Sequence, residues 1–242
     1  MKENKRNISL HAVALRWIAL ICMLLDHLWA TVVPGNLWMT CLGRLAFPIF
    51  AFQAAEGYYR TSNLKRYLCR LLVFGVISEL PFNLMLSGSW VYPFHQNVMF
   101  TMALGLLGIR AMEQARSAGC VRERITAVLS MLLWIGLGAV TLVDYGAYGV
   151  ITVMLFAACR YLPGAKLFQL AGMVVIHVFW MKGMTIPVLG LEFPLQGFAV
   201  LALLPIWLYH GEKGPRNKMV QYGSYLFYPL HLLVLGIICQ IL

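Results

Sequence analysis

Residues 16–27 read RWIALICMLLDH. A guanidinium opens the stretch, a carboxylate beside an imidazole closes it, and everything between is apolar. The apolar run extends on both sides, over 11–33, which is the length a bilayer-spanning helix needs. The rest of the chain has the same character. Of its 242 residues 61% are hydrophobic and only 12% charged, with a mean hydropathy of +0.76. A soluble domain is nearer half apolar and a quarter charged. This much apolar surface cannot be hidden from water in a chain of this size, so lipid must serve as the outer solvent.

The net charge of +10 does not point to nucleic acid. Lys and Arg fall in short clusters between apolar segments, as in loops on one side of a membrane. No basic stripe interleaved with aromatics marks a nucleic-acid face. The six cysteines form no CxxC pair and sit mostly within apolar runs, which argues against a disulfide framework or a metal site.

Nine helices are expected, over 11–33, 43–60, 65–86, 96–114, 124–143, 146–162, 165–182, 194–209 and 222–241, with the fourth, sixth and eighth short. The fold class is an all-α, polytopic membrane bundle in one domain, 1–242, without linker or repeat. With the N-terminus cytoplasmic and sides alternating, 16 of the 19 basic residues fall on the cytoplasmic side, among them Lys2, Lys5, Arg6, Lys213, Arg216 and Lys218. Arg44 and Lys182 fall opposite, and Arg16 lies within the first span. That run is too long for the apolar part of a signal peptide and reads as a retained helix.

An ionisable group inside a bilayer costs about 2.5–3.5 kcal/mol, so each needs a partner or a role. The expected set is Arg16, Asp26 and His27 on the first helix, Arg44 and Glu56 on the second, Glu79 on the third, Asp144 opening the sixth and His231 on the ninth. Gln96 and Asn97 open the fourth. Eleven residues of helix return to nearly the same face about 16 Å along the axis, so Arg16 and His27 point the same way from different depths. That suits a long anionic ligand entering at the guanidinium, which grips phosphate with paired hydrogen bonds, and reaching the imidazole, a general base near neutral pH. Alone, Arg16 is equally well read as a snorkelling side chain and His27 as a core histidine. Asp26, Glu79 and Asp144 at His27's level suggest a polar cavity. Arg44 needs an acid such as Asp26, Glu79 or Asp144. His231, in FYPLH (227–231), reads by default as a packing residue.

Six blocks in order, LRWIALICMLLDHL, GRLAFPIFAFQAAEGYYR, YLCRLLVFGVISELPFN, QNVMFTMALGLL, DYGAYGV and YLFYPLHLLVL, resemble the TraX family, named for the membrane protein that acetylates the N-terminus of F pilin. That family is similar in turn to the acyltransferase-3 class, whose first helix carries an Arg and a His with the spacing of Arg16 and His27. The resemblance implies acetyl-CoA as donor, with no metal, docking from the cytoplasm on Arg16, Arg60, Lys65 and Arg66. It implies His27 as general base or acetyl relay, with Asp26, Glu79 or Asp144 orienting it. Arg44, Glu56, Gln96, Asn97 and His231 are expected near the substrate, with Gln96, Asn97 or Arg44 as oxyanion donors. The acceptor, an amine or hydroxyl of a peptide, glycan or lipid, approaches from the outer side of a bacterial membrane; the acceptor and the oligomeric state stay open. A proton-coupled transporter using the buried His and acids is the rival reading, weakened by the lack of internal symmetry. A non-catalytic scaffold is another.

Overall fold

A computed structural model describes residues 10–181, 183–188, 190–212, 214 and 218–242, and no side chain of 188 or 218–222. Of the basic residues assigned to a side above, Lys2, Lys5, Arg6, Lys182, Lys213 and Arg216 lie outside the described residues, as does the Lys218 side chain.

Helix α1 spans Ala12–Thr31 and starts where the His11 ring nitrogen accepts the Ala14 N–H at 3.0 Å. A second helical segment follows in two pieces, α2 (Leu37–Gly43) and α3 (Ala46–Arg60). They break at Arg44 and Leu45, whose ψ angles of −20° and −23° tighten the turn towards a 3₁₀ geometry. Helix α4 (Leu64–Ser87) begins at Asn63, which caps the Arg66 N–H, and stops at Gly88, whose φ of +72° a side chain would oppose. Helices α5 (Val98–Ser117), α6 (Val121–Val140), α7 (Gly146–Ala158) and α8 (Ala165–Val174) follow, the last running on as a π-helical turn, Val175–Trp180. After a β-hairpin come a 3₁₀ segment, Leu195–Ala202, then α9 (Leu203–Trp207) and α10 (Lys218–Ile241).

Each expected apolar segment therefore has a helical counterpart, but they are not equal. Among the described residues, five are long and apolar enough to cross a membrane: Ala12–Thr31, Leu37–Arg60, Leu64–Ser87, Val121–Val140 and Gly223–Ile241. Three, Gly146–Tyr161, Ala165–Trp180 and Leu195–Trp207, are of 10–17 residues. At 1.5 Å per residue even the longest of these is several ångströms short of a hydrocarbon core of about 30 Å. The fourth, expected to be short, runs 20 residues. The all-α reading is also amended by the hairpin, in which β1 (Thr185–Val188) pairs antiparallel with β2 (Leu191–Pro194). Its β-branched and aromatic residues flank a turn at Gly190, φ +81°.

Side-chain contacts fix the relative directions. Arg16 meets Ser224 and His27 meets His231, so α1 and α10 run parallel. Phe74 stacks on Tyr225 while Gln240 bonds Gly88, so α4 runs with them. Gln53 bonds the Ala12 carbonyl and Asp26 bonds Arg44, so α2–α3 runs against them. Phe47 and Phe52 meet Tyr145 and Phe156, setting α7 parallel to α3. These directions alternate along the chain and give the bundle two distinct ends. Apart from Arg44, every Lys and Arg with a described side chain lies towards the Arg16 end, in or beside Arg60–Arg70, Arg110–Arg124 and Arg160–Lys166.

The dry centre is made by Ile49, Leu106, Val150, Val153 and Met173, all 0% exposed. Gly105 and Gly108 let α5 come against Val153 and Met154 of α7 closely enough that a Cβ would collide. Outward, α6 presents Ile125, Leu129, Leu132 and Leu133, and α10 presents Leu230 and Val234, all more than half exposed. Such apolar outer faces require lipid.

Candidate active site

Helix α1 presents Arg16 and His27 on one face, turned towards α10. His231 lies on that helix, and its Nδ1 is 2.7 Å from the Phe227 carbonyl. A carbonyl only accepts, so His231 Nδ1 carries a proton and Nε2 holds a lone pair. His27 Nδ1 lies 2.9 Å from that lone pair and must donate to it. The remaining nitrogen, His27 Nε2, is thus the basic one. Its ring lines a cavity of about 40 Å³ with Asp26, Asp144, Tyr145 and Tyr228. A backbone carbonyl, through one imidazole, sets the tautomer of another.

Asp26 does not orient that ring. Thr40 donates to its Oδ1 at 2.7 Å, and Arg44 to its Oδ2. Gly43 makes this possible, because a Cβ there would strike the Asp26 side chain. Arg44 also donates to Gln196 Oε1 at 3.4 Å, whose amide nitrogen is 3.1 Å from His177 Nδ1. Thr152 gives its proton to the Tyr148 carbonyl, so its 3.3 Å contact with His177 Nε2 is one in which the histidine donates. His177 is 0% exposed and sits in the π-helical turn, a distortion common at functional sites.

Glu79 and Asn97 pair. The Asn97 amide gives one proton to the Gly75 carbonyl at 2.8 Å and the other to Glu79, and its Oδ1 caps the Met99 N–H at 3.1 Å. Asp144 accepts from the Tyr145 N–H at 3.1 Å and faces His95 at 3.3 Å. The Asp144 hydrogen bond raises the His95 pKa above its usual value, against the opposing effect of burial. Tyr145 is held at φ +62° with its ring stacked 3.9 Å from Phe47. Positive φ in a non-glycine residue beside a cavity is backbone strain of the kind found at functional sites.

A larger cavity, of about 130 Å³, lies towards the basic end. Arg16, which bonds Ser224 at 3.2 Å, lines it with Gln53 and Tyr67, but most of its wall is apolar, including Leu20, Leu71, Met99 and Met102. The two cavities share Met23, Phe50, Val98 and Tyr228. The expected polar recess is thus two cavities back to back, the larger one largely greasy. Arg16 lines one, and Asp26, His27 and Asp144 line the other.

The remaining expected residues lie elsewhere. Glu56 is bridged to Arg60 and Arg160 at the basic end, far along the bundle from His27. Lys65 and Arg66 are exposed at that same end. Gln96 turns its amide to the Pro93 carbonyl at 2.7 Å. Among the described residues, Arg44, Gln96, Asn97 and Glu79 line neither cavity. No group of three or more His, Cys, Asp or Glu suited to a metal occurs among the described residues. Sequence reasoning missed Thr40, His95, Tyr145, His177, Gln196 and Tyr228. A histidine inside the apolar run VVIHVFW was a readable signal for His177; the others are unremarkable residue types until the fold gathers them.

Fold and site together define an α-helical integral membrane protein with an oriented, half-buried imidazole that lines a cavity with two carboxylates. The chain belongs to the TraX family, whose model, described as TraX protein, matches residues 12–239. It is 31% identical to the probable fimbrial assembly protein FimC, serogroup H1, of Dichelobacter nodosus, over 95% of this chain and 96% of that one. A second relative, the uncharacterized protein RP591 of Rickettsia prowazekii (strain Madrid E), is 24% identical over 63% of this chain and 56% of its own length. No solved structure matches the chain.

Proposed function

We propose that the protein is an acetyltransferase of a bacterial cytoplasmic membrane, moving an acetyl group from acetyl-CoA to the free amine of a pilin-like peptide. The observation that carries this reading is the bonded chain Phe227 carbonyl–His231–His27, which leaves Nε2 as the basic nitrogen of a histidine that lines a small cavity. The fimbrial relative and the pilin acetylation with which the family is associated support the substrate class. The crowding of basic side chains at the Arg16 end supports an orientation with that end in the cytoplasm.

Acetyl-CoA enters at that end. Arg16 attracts its phosphates, and Arg60, Lys65 and Arg66 add positive field around the mouth. The thioester arm lies along the larger, apolar cavity, with its carbonyl at the wall shared with the smaller one. The peptide amine approaches from the other end, past Asp144 and His95. As its nitrogen bonds to the carbonyl carbon, His27 Nε2 takes the nitrogen's proton. When the carbon–sulfur bond breaks, the CoA thiolate leaves with the electron pair and receives that proton. Arg44, Thr40, Gln196 and His177 keep Asp26 bonded so that it does not compete for His27.

Radiolabelled acetyl-CoA, purified protein in detergent and short peptides with free α-amino termini test the reading. Label is expected on the peptides and absent from N-formylated controls. Unlabelled peptides with intact protein would refute it.

A further inference from the structure

If the site carries out the transfer chemistry just proposed, it must also stabilise an oxyanion. When the amine adds, the thioester oxygen takes a full negative charge and needs a donor aimed at it. The donors expected from sequence are committed elsewhere. Both Asn97 amide protons go to Gly75 and Glu79, Gln96 turns to Pro93, and Arg44, which lines neither cavity, is bonded to Asp26 and Gln196.

Of the four residues in the wall common to both cavities, Tyr228 is the one with a polar side chain. We infer that the Tyr228 hydroxyl is the oxyanion donor of this enzyme and a catalytic residue. It stands where a thioester that has entered along the larger cavity meets a base in the smaller one. It is 4% exposed, and its ring lies 5.8 Å from that of His231, so the donor and the relay that orients the base are carried by one turn of α10. Val98, in the first turn of α5, shares that wall with it. The phenolic proton is the donor this side chain has to offer. A phenol, with an ordinary pKa of about 10, keeps this proton at neutral pH. The positive end of the 20-residue α5 adds to the stabilisation. In the step itself the π pair of the carbonyl moves onto oxygen as the carbon–nitrogen bond forms. Tyr228 donates a hydrogen bond without giving up its proton, and the pair returns as the thiolate leaves.

Tyr228→Phe keeps the ring and removes the donor. It should lower kcat roughly 10²-fold, the loss typical of one oxyanion donor, with acetyl-CoA affinity unchanged. The infrared stretch of the bound, isotope-labelled thioester carbonyl should sit below its free value in the wild type and return to it in Y228F. A ring-fluorinated tyrosine at this position, a stronger donor of the same shape, should lower the stretch further. Wild-type kcat and carbonyl frequency in Y228F would overturn the assignment of Tyr228 alone. A wild type that binds no acetyl-CoA, or acetylates no peptide, would instead remove the transfer reading on which it rests.

Discussion

At the scale of single residues, the site is decided by which nitrogen carries which proton. His27 and His231 lie 204 positions apart in sequence and 2.9 Å apart in the fold, and the carbonyl of Phe227 fixes the proton order of both. A histidine whose Nδ1–H lacks an acceptor divides between tautomers, and the form with Nε2 free is depleted. His231→Ala should therefore lower kcat by about 10²-fold or more, within the range of general-base effects, while leaving acetyl-CoA binding intact. His231→Gln, whose amide oxygen can accept the same proton, should recover part of that loss. Equal rates in the two variants would show that the acceptor at this position does not matter. Sequence made His27 legible, because an imidazole in an apolar run is conspicuous. It did not reveal His231 as its partner, because pairing across the whole chain has no local signal.

At the scale of elements, the packing of α4 on the start of α5 carries much of the site's rigidity. Asn97 is wholly buried and does three things there: it caps α5, holds Glu79, and closes on the Gly75 carbonyl. Asn97→Ala removes the cap and leaves Glu79 without its amide donor. A loss of roughly 1–2 kcal/mol is expected, read as a lower unfolding temperature in detergent; an unchanged temperature would contradict this role. The expected helix positions were legible from apolar run length, including the start of α5 at Gln96 and Asn97. The break at Arg44–Leu45, the π-helical turn and the hairpin were not, since each depends on contacts the local sequence does not encode. The strained turn at Tyr145 is of the same kind: DYGAYG reads as an ordinary turn until Phe47 stacks on the ring.

At the scale of the whole molecule, two ends of unlike charge and two cavities set back to back give the bundle a direction. On the proposed reading the positive end gathers the donor's phosphates; His95 with Asp144 stands at the other. Arg16 lies between the basic surface and the greasy cavity, so Arg16→Ala should weaken acetyl-CoA binding severalfold or more with little change in kcat, the signature of a group that binds ground and transition states alike. Calorimetric titration with acetyl-CoA and steady-state rates separate the two, and a loss confined to kcat would contradict the assignment. The membrane class and the Arg16–His27 geometry came through in the sequence because they rest on composition and helical periodicity. Where Glu56 lies did not: Arg60 and Arg160 hold it at the basic end, far along the bundle from His27.

The most direct test of the central claim, that His27 is the base for acetyl transfer, is single-turnover transfer from labelled acetyl-CoA to a free-amine peptide by wild type and His27→Ala. Matched elution and acetyl-CoA affinity would establish that the variant is folded. The account predicts a rate at least about 10²-fold lower in the variant. A variant that transfers the label as fast as the wild type would contradict it.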